Sequence, residues 1–196
     1  SGHEYAGIVV EVGRDVRGFK IGDRVANVTL PACGRCFACR TGHTNYCQTA
    51  PESTSASLGA GFGERVAFTV DPTMMGGHFI VPDDIDIVHA ALAEPATCAI
   101  GAVKRGPIRP SDIVAVIGLG GLGQLVAQVA TGVGARTIGI DVPKEKVELA
   151  SRWCEWVIDA SSQDPVEAVL EITGGRGADV VMEVVGRPEP FEQAFH

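Results

Sequence analysis

The stretch "DIVAVIGLGGLGQLVAQVA", residues 112–130, most narrows the folds open to this chain. It reads as a short apolar strand, a glycine-rich turn and a helix. Gly118, Gly120 and Gly123 stand in G-x-G-x-x-G spacing, with Gly121 between the second and third. The first glycine permits the tight turn, the second lets a pyrophosphate approach the backbone, and the third lets the helix pack close to the strand. The helix start then offers free amides and the positive end of its dipole to an anion. Glycines in this spacing are a weak signal alone. Between an apolar strand and a helix they stand in the context that gives them meaning.

The same rhythm runs on. "RTIGID" reads as a strand, "KEKVELASRW" as a helix, "EWVID" as a strand, "PVEAVLEITGGRGA" as a helix and "DVVMEVVG" as a strand. Strands that alternate with helices of this length pair in parallel. The expectation for residues 91–196 is an α/β domain, part of a doubly wound parallel sheet. The second strand ends in Asp141, eighteen residues after Gly123. A carboxylate there accepts bonds from both ribose hydroxyls of a dinucleotide and repels a 2′-phosphate, which favours NAD over NADP. The alternative is that Asp141 caps the following helix. Lys146, one turn on, either reaches the same ribose or is a solvated helix lysine.

Residues 1–90 have a different texture. "YAGIVVEVG" and "GERVAFTV" are β-branched, apolar and punctuated by Gly and Asp, which predicts strands. "ESTSASLGAG" reads as a surface loop. Between them, "CGRCFACRTGHTNYC" gathers Cys33, Cys36, Cys39 and Cys47 into fifteen positions. Cysteines with only two residues between them are poor partners for a structural disulfide, and nothing else in the chain suggests secretion. A redox pair needs two cysteines opening a helix. Four clustered thiolates suit zinc, and because they leave no open coordination position the ion is structural. His43, inside the loop, is an alternative ligand or simply a loop histidine.

Charge and hydropathy exclude other classes. The net charge is −8 and the sixteen Lys and Arg are scattered, which argues against nucleic acid or an anionic membrane surface as partner. No apolar run is long enough to span a bilayer. The first residues lack the charged and apolar regions of a signal peptide, so a cytoplasmic location is expected.

Through its glycine turn, its thiol loop and three further stretches, the chain resembles the zinc-dependent medium-chain alcohol dehydrogenases, in particular their polyol and threonine dehydrogenase branch. "GHEYAGIVVEVGRDV" is similar to that family's zinc signature through Gly2, His3, Glu4, Gly7, Gly13 and Val16. "FKIGDRV", the thiol loop 33–47, "GLGGLG" and "GRGADVVMEVVG" follow in the family's order. The resemblance implies a partial β-rich GroES-like catalytic domain over 1–90 and a partial Rossmann domain over 91–196. It implies His3 as a ligand of a catalytic zinc, with Glu4 a further ligand or a partner beside it. In "LAEPATCAIGAV" it implies Glu94 as a ligand, directly or through water, and puts Cys98 where the nicotinamide packs, although the preferred reading of Cys98 is a small buried hydrophobe. It implies hydride transfer between a primary or secondary alcohol or polyol and NAD, with zinc as Lewis acid. A homo-oligomer, dimer or tetramer, is also implied.

Two alternatives come from other classes: a non-catalytic, NAD-binding zinc protein, and a zinc-free NADPH reductase on the same scaffold. The family also places a cysteine ligand and a Ser or Thr proton relay upstream of Gly2, and two further sheet strands after His196. The chain is therefore expected to be a piece of a longer protein that does not oxidise alcohols by itself.

Overall fold

The computed structural model describes residues 2–27, 32–49, 61–68 and 77–196. The chain divides into two compact units, Ser1–Glu94 and Pro95–His196.

In the first unit, β1 (Ala6–Ile8), β2 (Arg24–Asn27) and β3 (His78–Ile80) form an antiparallel sheet in the order β1-β2-β3. The register places Ala6 opposite Ala26 and Asn27 opposite His78. Ala26, Val81 and Ala90 are the buried heart of this unit, with Ala6 and Ala93 against them. Such small side chains let strands and helix approach closely. The thiol loop carries one short helix, α1 (Phe37–Arg40), and a 3-10 turn over Thr44–Tyr46. Helix α2 (Ile87–Ala90) is capped by Asp86, whose carboxylate accepts from the Val88 amide at 2.8 Å. Helix α3 (Ala93–Arg105) begins as this unit ends, with Pro95 in its first turn, where a missing N–H costs nothing.

The strand expected over 5–13 is shorter than its sequence pattern. The ladder ends at Ile8, and Val9 continues only as a pair of bonds with Asp23 and Gly22. "GERVAFTV" forms no strand over residues 63–68. Alternating hydrophobicity signals half-burial and does not supply a partner strand. Phe68 spends its apolar ring on His78, stacked at 3.6 Å between centroids. The loop expected over 52–61 lies almost wholly outside the described residues.

The second unit follows its sequence pattern closely. Strands β4 (Ile113–Ile117), β5 (Arg136–Asp141), β6 (Trp156–Asp159) and β7 (Val180–Glu183) form a parallel sheet ordered β6-β5-β4-β7. Helices α4 (Gly121–Gly132), α5 (Lys144–Ala150), α6 (Pro165–Ile172) and α7 (Pro188–Gln193) alternate with them. Every residue of β4 is buried. Val114 and Val116 join one core with Val126, Ala127 and Ala130 of α4 and Val147 and Ala150 of α5. Ile113, Ala115 and Ile117 join the other core, with Ile138, Ile140, Ile158 and Ala168. A strand whose alternate residues enter two separate cores is covered on both faces, as a parallel sheet requires. Asp164 starts α6 by accepting from the amides of Val166 and Glu167.

Candidate metal centres and nucleotide turn

The thiol loop brings its four sulfurs together. All cysteines are free thiols, and the Sγ atoms of Cys33, Cys36, Cys39 and Cys47 lie within 4.8 Å of one another. Backbone amides point at the sulfurs: Cys33 N–H donates to Cys47 Sγ at 3.3 Å and Cys36 N–H to Cys33 Sγ at 3.4 Å. Such donors favour thiolates. The Thr49 hydroxyl, with the amides of Arg35 and Cys36, holds Cys33 down at about 5. The Cys33 and Thr49 amides also lower Cys47. Desolvation and the neighbouring thiols push Cys39 up to about 12. Four thiolates this close repel one another unless a cation neutralises them. The soft, four-fold donor set and the N–H···S bonds fit a closed tetrahedral zinc site.

A second cluster forms from residues far apart in sequence. His3, Glu4 and Glu94 each place a ligand atom within 4.8 Å of the others. His3 Nε2 lies 3.7 Å from Glu94 Oε1. Glu94 is buried in the first turn of α3, whereas His3 and Glu4 are exposed, so the cluster opens towards solvent on one side. A mixed imidazole and carboxylate set with fewer than four protein donors is the composition of a metal site that keeps a position free.

The third candidate is the glycine turn between β4 and α4. Gly118 has φ of +96°, a conformation that favours glycine, and its N–H bonds the Ile140 carbonyl at 2.8 Å. A Cβ on Gly123 would lie 1.8 Å from the Gly118 oxygen, so the third glycine is required by the close approach of helix and turn. At Gly120 and Gly121 a Cβ would meet nothing within 4 Å. That open space lies at the start of α4, where the free amides are. Asp141, at the end of β5, accepts from the Leu119 amide with Oδ2 at 2.8 Å and from the Val142 amide with Oδ1 at 2.7 Å. Its bonds therefore go to the turn and to its own neighbour rather than to the amides that open α5. Lys146 Nζ lies 3.7 Å from the same carboxylate.

Two family models match the chain: "alcohol dehydrogenase GroES-like domain" over residues 1–77 and "zinc-binding dehydrogenase" over residues 121–196. The chain belongs to the zinc-binding alcohol dehydrogenase family. Among members of that family, the sorbitol dehydrogenase of Bacillus subtilis is 33% identical over 99% of this chain and 54% of its own length. The L-threonine 3-dehydrogenase of Pyrococcus abyssi is 35% identical over the same shares. A Sinorhizobium meliloti protein assigned as a zinc-binding dehydrogenase, solved with NADP bound, superimposes with a TM-score of 0.75 at 31% identity, over 98% of this chain and 56% of its own. The chain spans about half the length of the curated relatives it matches.

Two buried polar residues escaped the reading of the sequence as an alcohol dehydrogenase. Gln124 donates to the carbonyls of Leu119, at 3.1 Å, and Lys146, at 2.9 Å, and so ties the glycine turn to α5. Asn27 donates to the His3 carbonyl at 2.6 Å. An amide side chain inside an apolar strand or helix pattern was the available signal for both. Cys98, expected to be buried, is exposed on α3.

Proposed function

We propose that the whole protein is a cytoplasmic, zinc-dependent oxidoreductase that transfers hydride between a primary or secondary alcohol or polyol and NAD. The observation that carries this reading is the presence of two ligand clusters of different kinds in one unit. The four thiols close on themselves, while His3, Glu4 and Glu94 converge with too few donors to complete a shell. The first cluster suits a structural ion and the second one that works.

Each residue has a role in this reading. Cys33, Cys36, Cys39 and Cys47 hold the structural zinc and staple the loop. His3 and Glu94 bind the catalytic zinc, and Glu4 either binds it or orients His3. Zinc held there supplies a Lewis acid for the substrate oxygen. The backbone at Gly118, Gly120, Gly121 and Gly123, with the start of α4, receives the pyrophosphate of the dinucleotide. Asp141 accepts the ribose hydroxyls, and Lys146 stands beside the same ribose. The carboxylate already faces the turn, which supports NAD over NADP, because a 2′-phosphate would meet a fixed negative charge. The sorbitol and threonine dehydrogenases among its relatives support hydroxyl-bearing substrates. The same reading makes the protein a homo-oligomer, a dimer or a tetramer, which light scattering checks.

The test is zinc analysis together with NADH production against a panel of alcohols and polyols. Two zinc ions per subunit and NAD-linked turnover are expected. His3→Ala should lose about one zinc and all turnover while keeping the thiol-bound ion. Full turnover by His3→Ala would refute the assignment.

A further inference from the structure

Asn27 closes strand β2 and is 1% exposed, one of the few polar side chains buried among the described residues. Its Nδ2 donates to the backbone carbonyl of His3 at 2.6 Å. Its own backbone N–H donates to the carbonyl of Tyr5 at 3.1 Å. One residue therefore grips the chain on both sides of Glu4. From the other direction, Gly61 N–H holds the carbonyl of Gly2 at 3.0 Å. The short segment that carries His3 and Glu4 is tied at three carbonyls around the cluster, those of Gly2, His3 and Tyr5.

The chemistry of the amide fixes its orientation. Only the NH2 end donates to a carbonyl, so Oδ1 must point away, and there it is buried with no hydrogen-bond partner among the described residues. Stability does not explain this choice. Asn is disfavoured in strands, and an orphan acceptor in the interior weakens a fold. Val25, two positions earlier on the same strand, shows what the strand accepts readily. What Asn adds over Val at this position is a donor aimed at the backbone of His3.

We infer that Asn27 is a positioning residue for the His3–Glu94 metal site: by fixing the backbone of His3 it aims the imidazole at Glu94. The inference rests on the proposed reading of that cluster as a metal site. The Asn27 side chain bonds the backbone of His3. It acts through His3, whose Nε2 lies 3.7 Å from Glu94 Oε1. Groups that orient a metal ligand change metal affinity by about 10- to 100-fold when removed.

The experiment compares wild type with Asn27→Leu, which keeps the branched shape without a donor, and Asn27→Val, which suits the strand. Each protein is loaded with Co2+ and titrated with a competing chelator. Those thiolate-to-cobalt bands that Cys36→Ser abolishes report the four-cysteine site separately and serve as an internal reference, and a denaturant titration gives stability. At the His3 site both variants should bind Co2+ at least about tenfold more weakly, with an altered ligand-field spectrum. The thiol site should be unchanged, and Asn27→Val should be no less stable than wild type. Wild-type affinity and spectrum in both variants would overturn the positioning role, as would equal losses at both sites that track lost stability. His3→Ala run in parallel separates the two readings. If it leaves Co2+ uptake and spectrum intact, the cluster is not a metal site and Asn27 has nothing to position. If it removes that signal while both Asn27 variants keep it, only the present inference falls.

Discussion

The carboxylate of Asp141 accepts a hydrogen bond from the backbone amide of Leu119 at 2.8 Å, across from the end of β5 to the glycine turn. The residue proposed to select the cofactor is therefore also a brace of the turn proposed to hold it. The two roles separate by substitution. Asp141→Asn keeps an oxygen for Leu119 and loses the charge; Asp141→Ala loses both. Each should shift the ratio of NAD to NADP efficiency towards NADP by about tenfold, roughly 1.4 kcal/mol. Asp141→Ala should in addition weaken both cofactors. Steady-state kinetics with the two cofactors decides it, and a wild-type enzyme that prefers NADP would reverse the ribose assignment.

Gly120 and Gly123 make opposite predictions although both belong to one motif. Alanine at Gly123 puts its Cβ 1.8 Å from a backbone oxygen, where nothing flexible can yield. That variant should lose about 3 kcal/mol or more in denaturant unfolding, the upper end for overpacking. Alanine at Gly120, whose φ is −66°, strains nothing and meets no protein atom within 4 Å. It should fold with stability within about 1 kcal/mol of wild type. It should nevertheless bind NAD at least about tenfold more weakly, because the methyl occupies the space assigned to the pyrophosphate. Normal NAD affinity in Gly120→Ala would place the phosphates elsewhere.

The parallel sheet was legible because each element carries its own signal. Strand β5 runs over the six residues that "RTIGID" marks, Asp164 and Pro165 announce α6, and Gly118 sits where the turn needs a positive φ. The antiparallel unit was less legible. A strand there depends on a distant partner, as β3 at His78–Ile80 does on Asn27 and Val25, and no local pattern names that partner. The thiol site could be read because its ligands are adjacent in sequence. The His3–Glu94 pair spans ninety-one positions and was reached only through resemblance to known motifs. Asn27 belongs to neither case. The amide in an apolar strand hints at a role, but its partner is a backbone carbonyl, which every residue has, so no residue type in the sequence marks the other end of the bond.

Cys36→Ser should separate structural from catalytic metal. A serine hydroxyl is a harder, far less acidic donor than a thiol, so the closed site loses its four-fold soft shell. Elemental analysis should show about one zinc equivalent fewer. Hydrogen exchange in residues 33–47 should accelerate, because the loop contains only four residues of helix and a 3-10 turn to hold it otherwise. Turnover that survives should show an unchanged substrate preference. Unaltered zinc content would remove the structural site.

His78 gives the first unit a pH dependence of its own. Its Nε2 lies 2.8 Å from the Tyr5 hydroxyl, and its ring stacks on Phe68 at an interplanar angle of 15°. Burial in that aromatic setting disfavours the imidazolium and pushes His78 down to about 4, while the same burial raises Tyr5. The unfolded chain has the ordinary histidine value near 6.5. Below that pH the unfolded state binds a proton that the folded state refuses, so the contribution is fully present above about 6.5 and drains away as the pH falls towards about 4. His78→Phe keeps a flat ring against Phe68 and removes the titration. At neutral pH it should be about 1 kcal/mol less stable, because the Tyr5 hydroxyl loses its partner. Between pH 6.5 and 4 its stability should fall less steeply than that of wild type, so the two denaturant midpoints converge on acidification. The carboxylates titrate in both proteins and cancel in the difference. Curves that stay parallel across this window would mean that the folded state accepts the proton on His78 as readily as the unfolded chain does.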